Sequence, residues 1–252
     1  MWPYIRGTYS YWYVYPLIVP VHAAWSLLLC KRLGVSRKIW LAVVVCFAMG
    51  MFPGAKALFD VTHDYGGLRP WRLLSVRHYL DGGMWGGPLV GLGLSVVAML
   101  AVARNGWARA FDYAALTLPV PLAVAKMACF VQGCCFGRAT ALPWGVRFPV
   151  DGPLAPSADP LHPVQIYESL WCLAVLAVLV RIEAGGRWRG TLLVWFLALY
   201  CAGRAAVETL SGCERYTWLG VSASQSICAV TSVVCVVALF VVRRRAVPSS
   251  DQ

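Results

Sequence analysis

Three basic residues lie within stretches of this sequence that are otherwise hydrophobic. Lys56, Lys126 and Arg204 each fall in a segment apolar enough to cross a bilayer, and the carboxylates Glu168 and Glu208 lie in segments of the same kind. A charge in hydrocarbon is costly, so it usually marks a polar cavity used for chemistry or transport. Three positive and two negative charges sum to +1, which suits an anionic headgroup. The sequence therefore predicts a membrane-embedded site for an anion.

The elements that must position these residues are membrane-spanning helices. The 252-residue chain is 60% hydrophobic and 13% charged, with a mean hydropathy of +0.65, whereas a soluble domain carries about twice that share of charge. Seven stretches of about 20 residues are long enough to span the hydrocarbon core. They are 9–30, 39–60, 84–103, 112–134, 164–180, 190–210 and 218–242. We expect an all-α fold, one integral membrane domain over residues 1–252, and no cleavable signal peptide at the start.

The distribution of Lys and Arg among the connecting segments gives an orientation. With the N-terminus outside and the C-terminus cytoplasmic, the inner segments hold twelve Lys and Arg residues and the outer segments seven. This agrees with the positive-inside rule, and it makes most of the net charge of +11 an anchor for anionic inner-leaflet lipid rather than for nucleic acid. The Gly/Pro-rich connections 61–83 and 138–163 then lie outside, where we expect the function.

Helical rise places the charged residues at one depth. Lys56 lies about 17 residues beyond the inner start of its segment, and Lys126 and Arg204 each lie about 14 residues beyond theirs. At about 1.5 Å per residue, all three reach the outer half of the bilayer. Tyr15 and Glu168 enter from outside and lie a turn or two below that surface. The sequence thus predicts one polar site built by five helices.

Four sequence blocks narrow the chemistry. Residues 126–140 read KMACFVQGCCFGRAT and are followed by PWGVRFP, residues 162–168 read HPVQIYE, residues 81–87 read DGGMWGG, and Gly203-Arg204 precedes Glu208 by one turn. In this order and spacing the blocks resemble the bacterial prolipoprotein diacylglyceryl transferases. The resemblance extends from Tyr15 to about Arg243.

The resemblance implies a seven-helix transferase of the bacterial cytoplasmic (inner) membrane. Such enzymes move the diacylglyceryl group of phosphatidylglycerol onto the lipobox cysteine thiol of a prolipoprotein signal peptide and release glycerol phosphate at the outer face. The expected partners are therefore phosphatidylglycerol, the prolipoprotein and membrane lipids, with no cofactor and no metal. The charges fit this chemistry, because cations must neutralise the leaving phosphate and the thiol must lose its proton.

The resemblance also assigns roles to residues. Arg204 matches an essential arginine and is expected to bind phosphate through its planar fork, the alternative being a structural ion pair with Glu208. Lys126 replaces an arginine, which keeps the charge but loses bidentate geometry. Glu168 joins them in the catalytic set, although a structural role is an equal alternative. The expected substrate-binding set is Tyr15, Lys56, Trp85, Gln132, Gly137, Arg138, Gln165, Tyr167 and Glu208.

Thiol activation is where the sequence departs from the family. Trp85 stands where relatives carry a histidine favoured as the thiol base, and its segment is two residues shorter. His78 and His162 are the candidate replacements and complete the catalytic set, with a capping or loop role as the alternative for each. A cation-rich pocket that lowers the thiol pKa by itself is a third possibility.

Cys129, Cys134 and Cys135 also depart from the usual signature. A zinc site with His162 is disfavoured, because the spacing of five then one is poor and vicinal cysteines rarely bind one ion together. A disulfide from Cys129 or Cys213 to one of the vicinal pair suits an oxidising outer compartment better. Three alternative functions remain: an impaired paralogue that binds anionic phospholipid or lipoprotein precursors, a transferase with another acceptor, and a redox or metal-handling membrane protein.

Overall fold

The described part of the chain is mainly helical. A computed structural model describes residues 15–54, 56–57, 93–94, 97, 107–148, 158–186, 190–212, 217–218 and 221–246. The helices are a 3-10 turn at Tyr15–Leu17, α1 at Ile18–Leu33, α2 at Arg37–Met49 with a π-helical turn at Gly50–Gly54, α3 at Trp107–Thr117, α4 at Pro119–Gln132, α5 at Val164–Ala184, α6 at Leu192–Glu208 and α7 at Ala223–Ala246. Strands β1 (Thr217–Trp218) and β2 (Val221–Ser222) pair antiparallel before α7.

Four stretches of described helix are long and apolar enough to cross a membrane. They are Arg37–Gly54, Trp107–Gln132, Val164–Ala184 and Ser224–Val242. A multi-pass helical membrane protein is therefore confirmed. Helices α1 and α6 are shorter, with 16 and 17 residues, and the predicted span 84–103 lies almost wholly outside the described residues.

One predicted span consists of two helices that meet at a proline. The segment predicted at 112–134 includes residues as early as Trp107, and it consists of α3 and α4 joined at Leu118. Pro119 is at the first position of α4, where its missing N–H is tolerated.

The helices differ in how much of their surface the protein covers. In the most apolar 18 residues of Trp107–Gln132, half of the residues are buried inside the protein. In the most apolar 18 residues of Ser224–Val242, only 11% are buried. Helix α7 consequently exposes large apolar residues, such as Ile227, Val230 and Val233, each more than 60% exposed. A continuous apolar surface of this kind faces lipid in a membrane protein.

The main core lies where α1, α3, α5 and α6 meet. Tyr113, Leu116, Leu179 and Phe196 are each at most 2% exposed there. The Tyr113 hydroxyl donates to the Ser26 carbonyl at 2.9 Å, so its polar atom is satisfied inside the apolar core.

A buried carboxylate caps α6 at its beginning. Asp112 on α3 accepts from the backbone N–H of Gly190 at 2.6 Å and of Leu192 at 3.0 Å, and it is only 8% exposed. The first N–H groups of a helix have no partner within the helix, so this side chain supplies one from a neighbouring helix.

We expect Asp112→Ala to lower the free energy of unfolding by about 1–2 kcal/mol, the usual cost of losing a helix cap. Thermal unfolding of the purified protein in detergent measures this. Asp112→Asn is the matched control, because it keeps one acceptor oxygen and should lose less. Equal melting temperatures for all three proteins would show that the cap contributes nothing.

A folded cap covers the end of the helix bundle that is opposite to Asp112 and the beginning of α6. We use this name for residues 133–148, 158–163 and 209–212, which connect the end of α4, the start of α5 and the end of α6. The Gly137 N–H donates to the His162 carbonyl at 2.9 Å, and the Arg138 N–H donates to the Leu210 carbonyl at 2.8 Å. Three sequence blocks far apart along the chain are thereby held together.

Gly137 lies at the crossing of these three segments. A Cβ atom there would be 2.5 Å from the His162 Cβ and 2.9 Å from the Leu210 carbonyl oxygen. We expect Gly137→Ala to reduce the amount of folded protein in the membrane severalfold, because backbone cannot move aside cheaply. Gly93→Ala is the control, since its Cβ meets nothing within 4 Å; equal yields of the two variants would contradict this reading.

Candidate active site

Glu168 lies between two of the predicted cations. It is in the second turn of α5 and 6% exposed. Its Oε2 atom is 2.7 Å from the Lys126 Nζ of α4 and 3.6 Å from the Arg204 Nε of α6. Lys126 and Arg204, which the sequence places at one depth, therefore meet on a single carboxylate oxygen just below the cap.

The other edge of Arg204 is held by a second carboxylate. The Arg204 Nη1 pairs with the Glu208 Oε2 one turn along α6. The Glu208 Oε1 accepts from the hydroxyls of Ser222 and Ser224, each at 3.0 Å. Because β2 and the first turn of α7 fix Glu208, they also fix the guanidinium. These two serines were not anticipated, since nothing in their local sequence links them to residue 208.

The ion pairs of this cluster balance each other, since Lys126 and Arg204 lie against Glu168 and Glu208. Ions taken out of water are costly unless paired, which explains this arrangement. Lys56, the third cation of the expected site, is buried and 3% exposed. The expected net charge of +1 for the whole site stays a prediction.

A small groove opens beside Glu168 and Arg204. This shallow groove is further lined by Trp171, Tyr200, Gly203 and Val207. Sequence reasoning singled out Gly203 but missed the other three residues. The signal for Tyr200 was its place one turn before Arg204 on the same helix face.

Trp171 packs directly on α6. A Cβ on Gly203 would lie 2.0 Å from the Trp171 Nε1, and this indole nitrogen donates to the Leu199 carbonyl at 3.0 Å. The glycine before Arg204 therefore permits α5 and α6 to approach closely.

Two glutamines line the boundary between the cluster and the cap. Gln165 is fully buried, and its Nε2 donates to the Cys134 carbonyl at 2.6 Å. Gln132 ends α4 and is 7% exposed. Gln165 therefore links the first turn of α5 to the turn that follows α4.

Three further predicted residues make contacts in the cap or at its edge. The Tyr167 hydroxyl accepts from the Trp144 Nε1 at 2.8 Å and is 3.4 Å from the His162 Nδ1. Arg138 is exposed, and its Nε donates to the Ser211 carbonyl at 3.3 Å. Their expected catalytic and substrate-binding roles stay predictions.

Comparison with known proteins identifies the relatives of this chain. The family model for prolipoprotein diacylglyceryl transferase matches residues 5–241. The chain belongs to this family. It is 30% identical over 150 residues to a protein of Clostridium tetani, 31% over 169 residues to one of Sinorhizobium medicae and 35% over 186 residues to one of Rhodospirillum rubrum, covering 59%, 64% and 69% of this chain. All three are named phosphatidylglycerol–prolipoprotein diacylglyceryl transferase, and the matches span 59%, 57% and 65% of their lengths.

Three predicted residues of this transferase-family member have no described side chain. Tyr15 begins the 3-10 turn that leads into α1, and only its backbone is described. His78 and Trp85 lie outside the described residues. Their predicted roles stay predictions.

The three cysteines of the family signature segment lie together. The sulfur atoms of Cys129, Cys134 and Cys135 are all within 4.8 Å of one another, and none of the three forms a disulfide in the described structure. The Cys134 thiol donates to the Cys129 carbonyl at 3.6 Å. Cys213, the other expected disulfide partner, lies outside the described residues.

Proposed function

We propose that this chain transfers the diacylglyceryl group of phosphatidylglycerol to the lipobox cysteine thiol of prolipoproteins at the outer face of the bacterial inner membrane. The convergence of Lys126 and Arg204 on one buried carboxylate oxygen carries this proposal. The names of the relatives supply the two substrates.

Seven spans with the N-terminus outside form part of the proposal. Helices α1 and α6 supplement the four long spans, and the predicted span 84–103 completes the count. Arg32 and Glu183 pair at 2.7 Å at the end of the bundle away from the cap. Basic residues at that end suit the cytoplasmic side, which leaves the cap and the cluster on the outer side.

The cluster can exchange a carboxylate oxygen for a phosphate oxygen. In the structure Glu168 occupies the position between the two cations. A phosphodiester that enters there would bind Lys126 and Arg204 in its place, and Glu208 would keep the guanidinium oriented. Charge that builds on the leaving phosphate is then stabilised by groups already in position.

Glu168 can serve the other half of the reaction. Once phosphate has engaged Lys126 and Arg204, the carboxylate is available to accept the thiol proton. The sulfur attacks the carbon of the diacylglyceryl group that carries the phosphate. A C–S bond forms as the C–O bond from this carbon to the phosphate breaks, and glycerol phosphate leaves with the bonding electrons. With Glu168 as the proton acceptor, the reaction needs no histidine. This is compatible with Trp85 at the position where relatives carry a histidine.

Complementation tests the activity. Cells depleted of their own transferase should regain lipid-labelled lipoprotein when this chain is expressed, and should not regain it with Arg204→Ala. No rescue by the unchanged chain, despite normal amounts in the membrane, would overturn the proposal. That result would favour the paralogue that binds lipid without turnover, which the ion-paired cluster also fits.

We expect Lys126→Arg to preserve or raise turnover. The Lys126 Nζ contacts Glu168 as a point charge, whereas a guanidinium could bind two phosphate oxygens. The kcat for transfer from phosphatidylglycerol in mixed micelles measures this, with Lys126→Met as the variant that should lose activity. Complete loss in Lys126→Arg would show that the pocket has been rebuilt around the lysine.

A further inference from the structure

The end of α4 carries a thiol cluster that the transfer chemistry above does not use. Cys129, Cys134 and Cys135 are all partly buried, and their three sulfur atoms lie within 4.8 Å of one another. Thiols are the ligands that soft, thiophilic metal ions prefer. Three of them around one point therefore have the composition of a metal site.

The backbone explains how cysteines with unfavourable spacing come together. Gly133 has a φ of 75° and its N–H donates to the Phe130 carbonyl at 3.1 Å, while the Cys134 N–H donates to the Cys129 carbonyl at 3.1 Å. This is a Schellman motif, which places the second residue after a helix over its last turn. Cys134 is thereby brought back to Cys129, although they are five residues apart.

The third thiol depends on a second left-handed residue. Cys135 has a φ of 57°, an uncommon conformation for a residue other than glycine. It keeps vicinal Cys134 and Cys135 on the same side of the turn. The Gln165 Nε2 donates to the Cys134 carbonyl at 2.6 Å and holds the turn from α5. The ligand set is therefore arranged in advance by the fold, which lowers the cost of binding.

The distances suit a tetrahedral ion. With Zn–S bonds of about 2.3 Å, sulfur atoms around zinc lie about 3.8 Å apart. Sulfur atoms within 4.8 Å of one another reach this separation by side-chain shifts of about 1 Å or less. A disulfide would use only two of the three thiols.

We propose that Cys129, Cys134 and Cys135 bind one thiophilic divalent ion of the zinc class and leave its fourth position open for the thiol of the acceptor. Binding displaces three protons, which go to solvent. The resulting centre, with three thiolates on a dication, carries one negative charge. Lys126 lies one helical turn before Cys129 on α4, so a cation stands next to that charge.

The open position gives the site a purpose, and this part rests on the proposed function. A thiol that coordinates zinc loses its proton and remains a thiolate at neutral pH. The centre would deliver the acceptor cysteine as a nucleophile next to Lys126, and Glu168 would receive the proton. The reaction balance given above is unchanged.

Cobalt titration tests the metal site without any assay of activity. Tag-free protein in detergent, stripped by a chelator and kept reduced, should bind one Co²⁺ per chain, with thiolate-to-cobalt charge-transfer absorption that Zn²⁺ abolishes. The Cys129→Ser, Cys134→Ser, Cys135→Ser triple variant should lose this absorption, and a Cys46→Ser, Cys235→Ser control should keep it. Each single variant at the site should lose about a third of the intensity. Absence of the band in unchanged protein, or its persistence in the triple variant, would overturn the site.

A lipobox peptide tests the open position. Added to the cobalt-loaded protein, a peptide with cysteine should raise the charge-transfer intensity by about a third, and the same peptide with serine should not. An identical response to both peptides would refute acceptor coordination. Full transfer by the triple variant would refute the need for the metal while leaving the proposed function intact; cobalt binding with no transfer in any assay would do the reverse.

Discussion

Replacing Arg204 with alanine should lower the rate of diacylglyceryl transfer by about a hundredfold to a thousandfold, the usual effect of removing one donor to a developing anion. The substitution removes the charge that contacts Glu168 at 3.6 Å and pairs with Glu208. Among the described residues that line this site, Arg204 is the one with a guanidinium group, which can donate to two phosphate oxygens at once. Transfer of labelled lipid to a lipobox peptide, measured with phosphatidylglycerol in mixed micelles, gives the rate.

Arg204→Lys separates phosphate binding from folding. It keeps the positive charge beside two buried carboxylates, so the protein should stay folded, but it loses bidentate geometry and should remain well below the unchanged chain in kcat. Removing one partner of a buried ion pair is itself destabilising, so the melting temperature and membrane yield of Arg204→Ala must be measured beside its rate. A folded Arg204→Ala variant with normal turnover would reduce Arg204 to a structural partner of Glu208.

Ser222 and Ser224 allow a finer test of Arg204. Their hydroxyls hold Glu208, which holds the guanidinium, so they are positioning residues. Removing both should therefore lower kcat less than Arg204→Ala does, and should leave the preference for phosphatidylglycerol unchanged.

The helices were predictable because their signal is composition over a fixed length. Predicted spans 164–180 and 190–210 correspond to α5 and α6, and helical rise alone put Lys126 and Arg204 at a common level. Their meeting on a single oxygen of Glu168 did not follow from that level. It depends on the rotation of each helix about its axis, which packing decides, including the close approach of Trp171 to Gly203.

The contacts of Glu208 and the thiol cluster were not predictable for related reasons. Ser222 and Ser224 reach Glu208 through the hairpin and the first turn of α7, a contact with no local sequence signature. Cysteine spacing alone argued against binding of one metal ion by all three thiols. Spacing along the sequence does not show that the chain turns back on itself after α4. The useful signal was Gly133, which follows α4 directly and permits the left-handed turn.

Glu168→Gln should separate the two halves of the reaction. We expect kcat to fall by about a hundredfold to ten-thousandfold, because an amide cannot accept the thiol proton. The KM for phosphatidylglycerol should fall, since the amide competes less well than a carboxylate for Lys126 and Arg204. Steady-state kinetics with separately varied lipid and peptide give both quantities.

The control for this substitution is Glu183→Gln, which removes a carboxylate from a 2.7 Å ion pair with Arg32 at the other end of the bundle. That pair lies at the surface, with the Arg32 side chain 50% exposed, and it should contribute little, so both kinetic constants should stay unchanged. A raised KM with an unaltered kcat in Glu168→Gln would assign Glu168 to holding the two cations rather than to proton transfer. Because the carboxylate lies on Lys126 and Arg204 at once, lipid affinity and turnover must change in opposite directions if it both yields its place to phosphate and then takes the proton.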